Sequence, residues 1–258
     1  MPRFAANISM LFTELPLLER IGAARRAGFA AVECQFPYDH EPEAVRAALD
    51  AAGLPMVLHN LPGGNTAAGE RGLACLSGRV AEFRQGLATA RHYAQVLGVK
   101  TLNCLAGILP PGADRLQARA VLIDNLTLAA GMMADAGITL VIEPLNNRDT
   151  PGFFLPTAAD ALALLAAMPG TGVKLQFDLY HGAVMAEDLA AILAASMPQI
   201  GHIQIADHPG RHEPGTGVIA LMPLLEKIDA LGYQGWVGCE YNPLSTTLAG
   251  LGWMSATR

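Results

Sequence analysis

Short apolar segments alternate with amphipathic segments along nearly the whole chain, and this alternation is the feature that most constrains the fold. The apolar segments are rich in β-branched residues, as buried strands are, and the segments between them show the apolar spacing of helices. The predicted strands are Phe4–Asn7, Ala31–Gln35, Pro55–Asn60, Thr101–Cys104, Gly137–Glu143, Val173–Asp178, His202–Ala206 and Gly235–Glu240. The predicted helices are Pro16–Ala27, Glu41–Ala52, Val80–Leu97, Asp114–Ala136, Thr157–Met168, Glu187–Ser196, Leu221–Leu231 and Leu248–Ala256.

Eight strand–helix units in succession predict an α/β fold with a parallel sheet, namely a single (β/α)8 TIM barrel over residues 1–258. The length of 258 residues suits one such barrel, and it also suits two smaller domains. A doubly wound open sheet is the alternative fold. That fold usually carries a glycine-rich phosphate-binding turn after its first strand, and the segment Asn7–Leu15 has none.

The composition narrows the functional classes. With 52% hydrophobic and 16% charged residues, the chain can bury a large core, and disorder is not expected. The net charge is −6 and no run of Lys and Arg occurs, which disfavours nucleic acid as a partner. The first residues are too few and too polar for a signal peptide, and the Ala/Leu-rich stretch Ala158–Ala167 is too short to span a bilayer. We therefore expect a soluble, cytoplasmic protein with no membrane partner.

The four cysteines exclude one further class of site. They are Cys34, Cys75, Cys104 and Cys239, and no two of them form a C-x-x-C pair. A zinc ribbon or a redox motif is therefore not expected. Most of them lie in apolar runs, which predicts buried, reduced thiols.

Four neighbouring strands carry an oxygen-bearing side chain at or near their carboxyl ends. These side chains are Glu143, Asp178, Gln204 and Glu240. In a barrel, the carboxyl ends of the strands surround the active-site mouth, so the four groups are expected to converge. Hard oxygen ligands suit Mg²⁺ or Mn²⁺, and a cation would relieve the repulsion between the carboxylates. The structural alternative is that each acid caps a helix or pairs with a surface base.

Strand alternation predicts that the polar residues of two of these strands point into the barrel. Leu175 and Phe177 in the sixth strand, and Ile203 and Ile205 in the seventh, would face the helices. The remaining residues, which would point into the barrel, are Lys174, Gln176, Asp178, His202 and Gln204. Polar groups inside a barrel are unfavourable unless they are paired or used in function.

Further candidate residues are expected around the same mouth. The long, glycine-containing segment Leu61–Ser77 predicts a functional loop, with Glu70 and Arg71 at its middle. Histidines at strand ends are candidate hydrogen-bond donors, and loop arginines can form forked contacts with a substrate carboxylate. For each of these residues, packing or simple solvation is the alternative. The candidates are His59, Asn103, His181 and Arg211, together with Glu70 and Arg71.

The motifs along the chain resemble those of the hydroxypyruvate isomerase family, a branch of the xylose isomerase-like barrels, over nearly the full length. The motifs are Arg3-Phe-Ala-Ala-Asn7, His59-Asn-Leu-Pro62, Ala67-Ala-Gly-Glu-Arg-Gly72, Ile142-Glu-Pro144, Gln176-Phe-Asp-Leu-Tyr-His181, His202-Ile-Gln-Ile-Ala-Asp207, Glu213-Pro-Gly-Thr-Gly217 and Gly235-Trp-Val-Gly-Cys-Glu-Tyr241. The resemblance implies a divalent metal, Mg²⁺ or Mn²⁺, held by Glu143, Asp178, Gln204 and Glu240. It also implies that Glu143 and Glu240 are catalytic and exchange substrate protons.

The activity expected from this resemblance is the interconversion of hydroxypyruvate and tartronate semialdehyde through an enediolate that the metal stabilises. The substrate partner would be a small 2-oxo or hydroxy acid, and a homo-oligomer remains open. The amino-terminal block, with Phe12-Thr-Glu14, also resembles the sister 2-oxo-tetronate isomerases. Related ketose 3-epimerases have a histidine where Gln204 stands, which disfavours an epimerase. A metal-dependent endonuclease would need more histidine ligands and a basic face, and a sugar-acid binding protein would not need paired glutamates.

Overall fold

The computed structural model describes residues 2–257, and within them eight parallel strands close into a barrel. The strands are β1 (Arg3–Asn7), β2 (Ala31–Cys34), β3 (Met56–Asn60), β4 (Thr101–Cys104), β5 (Thr139–Ile142), β6 (Lys174–Asp178), β7 (Ile200–Ile205) and β8 (Trp236–Cys239). Neighbouring strands in the chain pair in parallel, and β8 pairs with β1 to close the barrel. The predicted (β/α)8 TIM barrel is therefore confirmed.

Helices connect the strands and cover the outside of the barrel. They are α1 (Leu17–Arg26), α2 (Pro42–Ala52), α3 (Val80–Leu97), α4 (Arg115–Ala134), α5 (Ala158–Ala166), α6 (Leu179–Val184), α7 (Leu189–Ser196) and α8 (Leu221–Ala230). Side-chain caps fix several starts, since Asp114, Thr157 and Asp188 each accept a backbone N–H in the first turn of the next helix. Gly53 and Gly98 adopt left-handed conformations at the ends of α2 and α3.

Two helices differ from the sequence predictions. The predicted last helix, Leu248–Ala256, is a 3₁₀ helix over Ala249–Thr257 rather than an α-helix. The short helix α6 was not predicted, because its six residues directly follow β6 without a turn signal. The Asp178 carboxylate starts α6 by accepting a hydrogen bond from the backbone N–H of Tyr180 at 2.9 Å. No helix among residues 2–257 is long and apolar enough to cross a membrane.

The space between the barrel and the helices forms the apolar core. Leu175, Phe177, Ile203 and Ile205 are buried there, on the strand faces for which alternation predicts contact with the helices. The four cysteines are also buried and free, as their apolar surroundings indicate. Lys174 is only half-buried, because it is the first residue of β6 and lies at the amino-terminal end of the barrel. Its registered neighbour in β5 is Val141, which is fully buried.

A polar layer crosses the barrel interior and centres on Glu33 of β2. The Glu33 carboxylate accepts hydrogen bonds from Asn7 Nδ2 at 3.0 Å and from Gln204 Nε2 at 2.7 Å. Its second oxygen lies 2.7 Å from His202 Nε2. β2 and β7 are not neighbours in the sheet, so these side chains meet across the barrel interior. The buried carboxylate is therefore well supplied with donors, as a charge inside a core requires.

Gly238 of β8 gives Glu33 the space it occupies. A β-carbon at Gly238 would overlap both carboxylate oxygens of Glu33. A side chain at position 238 would therefore displace the carboxylate from its hydrogen-bond donors. We infer that a glycine is required here by close approach of a charged group rather than by a special backbone conformation.

We predict that Gly238→Ala lowers the free energy of unfolding by about 1–3 kcal/mol, the usual cost of overpacking a core. A matched control is Gly131→Ala in α4, where Gly131 is exposed and an added β-carbon would have no neighbour within 4 Å. This control should be more stable than the native protein by about 0.5–1 kcal/mol, because alanine has the higher helix propensity. Urea unfolding measures the free energy of unfolding of both variants and of the native protein. Equal stability of the Gly238→Ala and native proteins would contradict this account of Gly238.

Candidate active site

Three buried side chains meet at the carboxyl ends of β5 and β6. Glu143 follows β5 directly, Asp178 ends β6, and His181 lies on α6. One ligand atom from each of these residues lies within 4.8 Å of the other two, and all three residues are buried. Parallel strands bring their carboxyl ends to one edge, which is why acids separated in sequence become neighbours.

Glu143 is held by Asn103 of the preceding strand, β4. Asn103 Nδ2 donates a hydrogen bond to Glu143 Oε2 at 2.6 Å, and it also lies 3.2 Å from Asn60 Oδ1. Burial raises the pKa of Glu143 well above its ordinary value, and the nearby Glu240 and Asp178 raise it further. Asn103 therefore contacts a proposed catalytic group, in addition to any contact with substrate.

Glu240, just past β8, faces the same space. Gln35 Nε2 donates a hydrogen bond to Glu240 Oε1, and a guanidinium nitrogen of Arg211 lies 3.2 Å from Glu240 Oε2. Burial raises the pKa of Glu240 to about 7, while Arg211 opposes this shift. Two carboxyl groups with raised pKa values in one site are suited to exchanging protons near neutral pH.

Arg211 brings a positive charge between two of the acids. Its guanidinium lies 3.4 Å from Asp178 Oδ2 as well as 3.2 Å from Glu240, and it lies over the ring of Tyr180 at 5.1 Å. Arg211 has a φ of 57°, an uncommon value for a residue with a side chain. The loop that carries it is fixed by Asp207, whose carboxylate accepts three backbone N–H groups of residues 215–219.

Gln204 of β7 links the site to the polar layer beneath it. Its amide nitrogen donates to Glu33, and its oxygen accepts a hydrogen bond from Gln176 Nε2 at 2.7 Å. Gln204 is the registered neighbour of Asp178 in the sheet. A carbonyl oxygen has two lone pairs, so the hydrogen bond from Gln176 leaves one for another partner.

The remaining predicted site residues differ in their positions. His59 is buried; its Nδ1 lies 3.1 Å from both the Tyr38 hydroxyl and the Asn60 carbonyl, and burial lowers its pKa to about 4. Glu70 instead forms an ion pair with Arg79 at 2.7 Å, within its own loop. Arg71 lines the cavity above Glu143 and Glu240, although one of its nitrogens is held by the carbonyls of Thr66 and Glu70.

One cavity of about 330 Å³ is lined by Arg71, Glu143, His181, Arg211 and Glu240 of the predicted site residues, and its volume suits a small organic acid. Its wall combines polar groups with the apolar side chains of Met10, Phe36, Leu105 and Leu145. The lining residues are Met10, Gln35, Phe36, Asn60, Thr66, Arg71, Leu105, Glu143, Leu145, Asp149, Thr150, His181, Arg211 and Glu240.

Sequence reasoning missed the residues whose hydrogen bonds hold the predicted site residues and the β6–α6 segment in place. Strand alternation places Glu33 and Gln35 on one face of the second strand, but it gives no sign of which partners they contact. Asn146 and Asp149 lie in the loop after β5, and their hydrogen bonds to the β6–α6 segment depend on loop conformation. The signal that could have found them is their position directly after a strand end in a barrel.

A closed parallel barrel with acids at the carboxyl ends of its strands is typical of TIM-barrel enzymes. The family model of the xylose isomerase-like TIM barrel matches residues 21–257. The chain belongs to this family.

Within the family, two curated relatives match over almost the whole length. The chain is 47% identical over 254 residues to a 2-oxo-tetronate isomerase of Cupriavidus necator, covering 98% of each chain. It is 46% identical over 258 residues to a hydroxypyruvate isomerase of Escherichia coli, covering all of both chains. A solved structure titled AP endonuclease, family 2, from Brucella melitensis is 43% identical, with a TM-score of 0.97 and full coverage of both chains.

The chemistry of the candidate metal-ligand atoms indicates whether a divalent cation fits the site. Glu143 and Asp178 offer hard carboxylate oxygens close together, which suits Mg²⁺ or Mn²⁺. The pKa values of Glu143, Asp178 and Glu240 are all raised, first by burial, and neighbouring acids add to the shift of each. A cation would relieve this repulsion, so the residues fit a divalent metal.

Proposed function

We propose that the protein is an aldose–ketose type isomerase that interconverts hydroxypyruvate and tartronate semialdehyde. The observation that carries the proposal is the pair Glu143 and Glu240, two buried carboxyl groups with raised pKa values in one small cavity. The full-length relative named hydroxypyruvate isomerase supports the choice of substrate. Moving a proton between adjacent carbons requires a group that removes it and a group that returns it.

The proposed reaction moves two protons and changes no overall oxidation state. One of the two glutamates removes a proton from the hydroxymethyl carbon, which gives an enediolate. A glutamate then returns a proton to the neighbouring carbon, and the hydroxyl proton passes from the first oxygen to the second. Asn103 and Gln35 hold the two carboxyl groups in place for this exchange.

A divalent cation, Mg²⁺ or Mn²⁺, is proposed to be held by Glu143, Asp178, Gln204 and Glu240. When bound, it would polarise the substrate carbonyl and stabilise the negative charge that develops on the oxygens. The protein's own contribution is to bury the reacting groups, exclude bulk water and fix the acids at their positions. Gln204 suits this set because Glu33 fixes which end of its amide is nitrogen.

Two arginines are proposed to receive the substrate carboxylate. Arg71 and Arg211 both line the cavity, and their guanidinium groups can form paired hydrogen bonds with a carboxylate. In this structure Arg211 forms ion pairs with Asp178 and Glu240. His59 and His181 are the proposed hydrogen-bond donors to the substrate oxygens.

A 2-oxo-tetronate is the second candidate substrate, because the relative that carries that name is 47% identical to the chain over nearly its full length. Both reactions use the same proton exchange and the same proposed metal. An epimerase is disfavoured because Gln204 stands where epimerases have histidine. A nuclease is disfavoured because the net charge of −6 opposes binding to nucleic acid.

The proposed metal and substrate predict a specific pattern of activity. Metal-stripped protein should show no isomerase activity, and Mg²⁺ or Mn²⁺ should restore it, with hydroxypyruvate preferred over a 2-oxo-tetronate. The two acids are compared side by side through kcat/KM. The reverse preference would assign the protein to the tetronate reaction, and turnover of neither acid would contradict the proposed substrate class.

The roles proposed for Glu143 and Glu240 predict a large loss of rate when either is replaced. Glu143→Gln and Glu240→Gln should each lower kcat by at least ~10²-fold, because each removes a positioned proton-transfer group of the active site. Glu226→Gln, on the exposed surface of α8, is the matched control and should keep the native rate. Steady-state kinetics with saturating metal measures the three variants. A near-native kcat in either active-site variant would disprove the role proposed for that residue.

A further inference from the structure

A chain of hydrogen bonds joins the loop after β5 to the helix after β6, directly behind the cavity. Asn146 Nδ2 lies 2.7 Å from His181 Nδ1 and donates to Asp149 Oδ2 at 2.9 Å. The hydroxyl of Tyr180 donates to the same Asp149 oxygen at 2.7 Å. Asn146 and His181 are fully or almost fully buried, so water does not substitute for these contacts.

The orientation of the Asn146 amide is fixed by its surroundings. Its Oδ1 accepts the backbone N–H groups of Arg148 at 3.1 Å and Asp149 at 2.9 Å. Its Nδ2 faces the Asp149 carboxylate, which when ionised can only accept hydrogen bonds. Exchanging the two ends of the amide would set nitrogen against two N–H donors and oxygen against a carboxylate. Only one orientation therefore satisfies every partner.

This orientation decides where the imidazole of His181 carries its proton. His181 Nδ1 receives the N–H of Asn146 Nδ2, and it also lies 3.3 Å from the backbone N–H of Asn146. A nitrogen that faces two donors must present its lone pair, so the ring is neutral and its proton is on Nε2. His181 Nε2 is buried, has no hydrogen-bond partner among residues 2–257, and lies 3.7 Å from Asp178 Oδ2.

We propose that Asn146 is a positioning residue that holds His181 as the tautomer protonated on Nε2, so that His181 donates a hydrogen bond to a substrate oxygen. This inference rests on the proposed isomerase reaction. A neutral imidazole binds a metal through a nitrogen lone pair, and in this tautomer Nε2 has none to offer. His181 therefore stabilises charge on the substrate, and the cation is left to the carboxylates and Gln204.

Asp149 sustains the arrangement through Asn146 rather than by touching His181. It gives the Asn146 amide the acceptor that keeps its nitrogen toward His181, and Tyr180 orients the Asp149 carboxylate in turn. Groups behind the residues of a functional site commonly fix tautomers in this way. The arrangement offers a test in which the polarity of the hydrogen bond is reversed while the net charge is kept.

The test is the double variant N146D/D149N, compared with D149N alone. In the double variant, the carboxylate introduced at position 146 places an acceptor against His181 Nδ1, which favours a proton on Nδ1 instead of Nε2. In D149N, the amide oxygen introduced at position 149 can still accept from Asn146, so the native tautomer should be kept. The tautomer is read by ¹⁵N-histidine NMR on the protein with and without Mg²⁺, and the His181→Gln spectrum identifies the resonance.

The native protein and D149N should show a proton on Nε2 of His181, and Mg²⁺ should not remove it. The double variant should show the proton on Nδ1, and its kcat should fall by about 10²–10³-fold, the usual effect of losing one donor to a developing oxyanion. Its KM should change little.

The proposal is overturned if native His181 carries its proton on Nδ1, a result that needs no variant to fold. It is also overturned if Mg²⁺ displaces the Nε2 proton, or if the double variant switches tautomer and keeps its kcat. An Nε2 proton without turnover of either acid would support the tautomer assignment and refute the proposed reaction, so the two failures are distinguishable.

Discussion

The structure depends on placing several carboxylates inside a closed barrel, where burial and mutual repulsion both oppose their charge. Glu143, Asp178 and Glu240 converge at the mouth, and burial is the largest cause of the raised pKa of each. Arg211 offsets part of this cost by lying between Asp178 and Glu240. The cost of charge that Arg211 leaves uncompensated is the physical reason why the site fits a divalent cation. The raised pKa values that result also suit the same acids to exchanging protons.

The polar layer beneath the mouth also contains a buried carboxylate, Glu33, and hydrogen-bond donors of the protein stabilise it. Glu33 lies 2.7 Å from His202 Nε2 and receives amide donors from Asn7 and Gln204, so its carboxylate is supplied with hydrogen bonds within the protein. Because Glu33 can only accept, it also fixes the amide of Gln204. Asp149 fixes the amide of Asn146 in the same way, and the Asn146 N–H then faces His181 Nδ1. Accept-only carboxylates and fixed backbone N–H groups thus set the direction of hydrogen bonds throughout the site.

Much of the fold follows from sequence, because strand and helix periodicities are local and their alternation permits few topologies. The positions of Glu143, Asp178 and Glu240 followed for the same reason, since strand ends meet at one edge of a barrel. What sequence could not give were contacts that depend on loop conformation. Glu70 forms an ion pair with Arg79 instead of lining the cavity. The link from Asn146 to His181 likewise joins two loops whose conformations no local pattern predicts.

The central claim is that glutamates carry a substrate proton between adjacent carbons within a closed cavity. The most direct measurement is isomerisation in D₂O with metal present, in which the aldehyde product is trapped by reduction as it forms and analysed for deuterium. The account predicts deuterium at the carbon that receives the proton, because a carboxyl group exchanges with solvent between turnovers. Product that retains only the original hydrogen would contradict transfer by two separate glutamates, because the second glutamate delivers a proton drawn from solvent rather than the one removed.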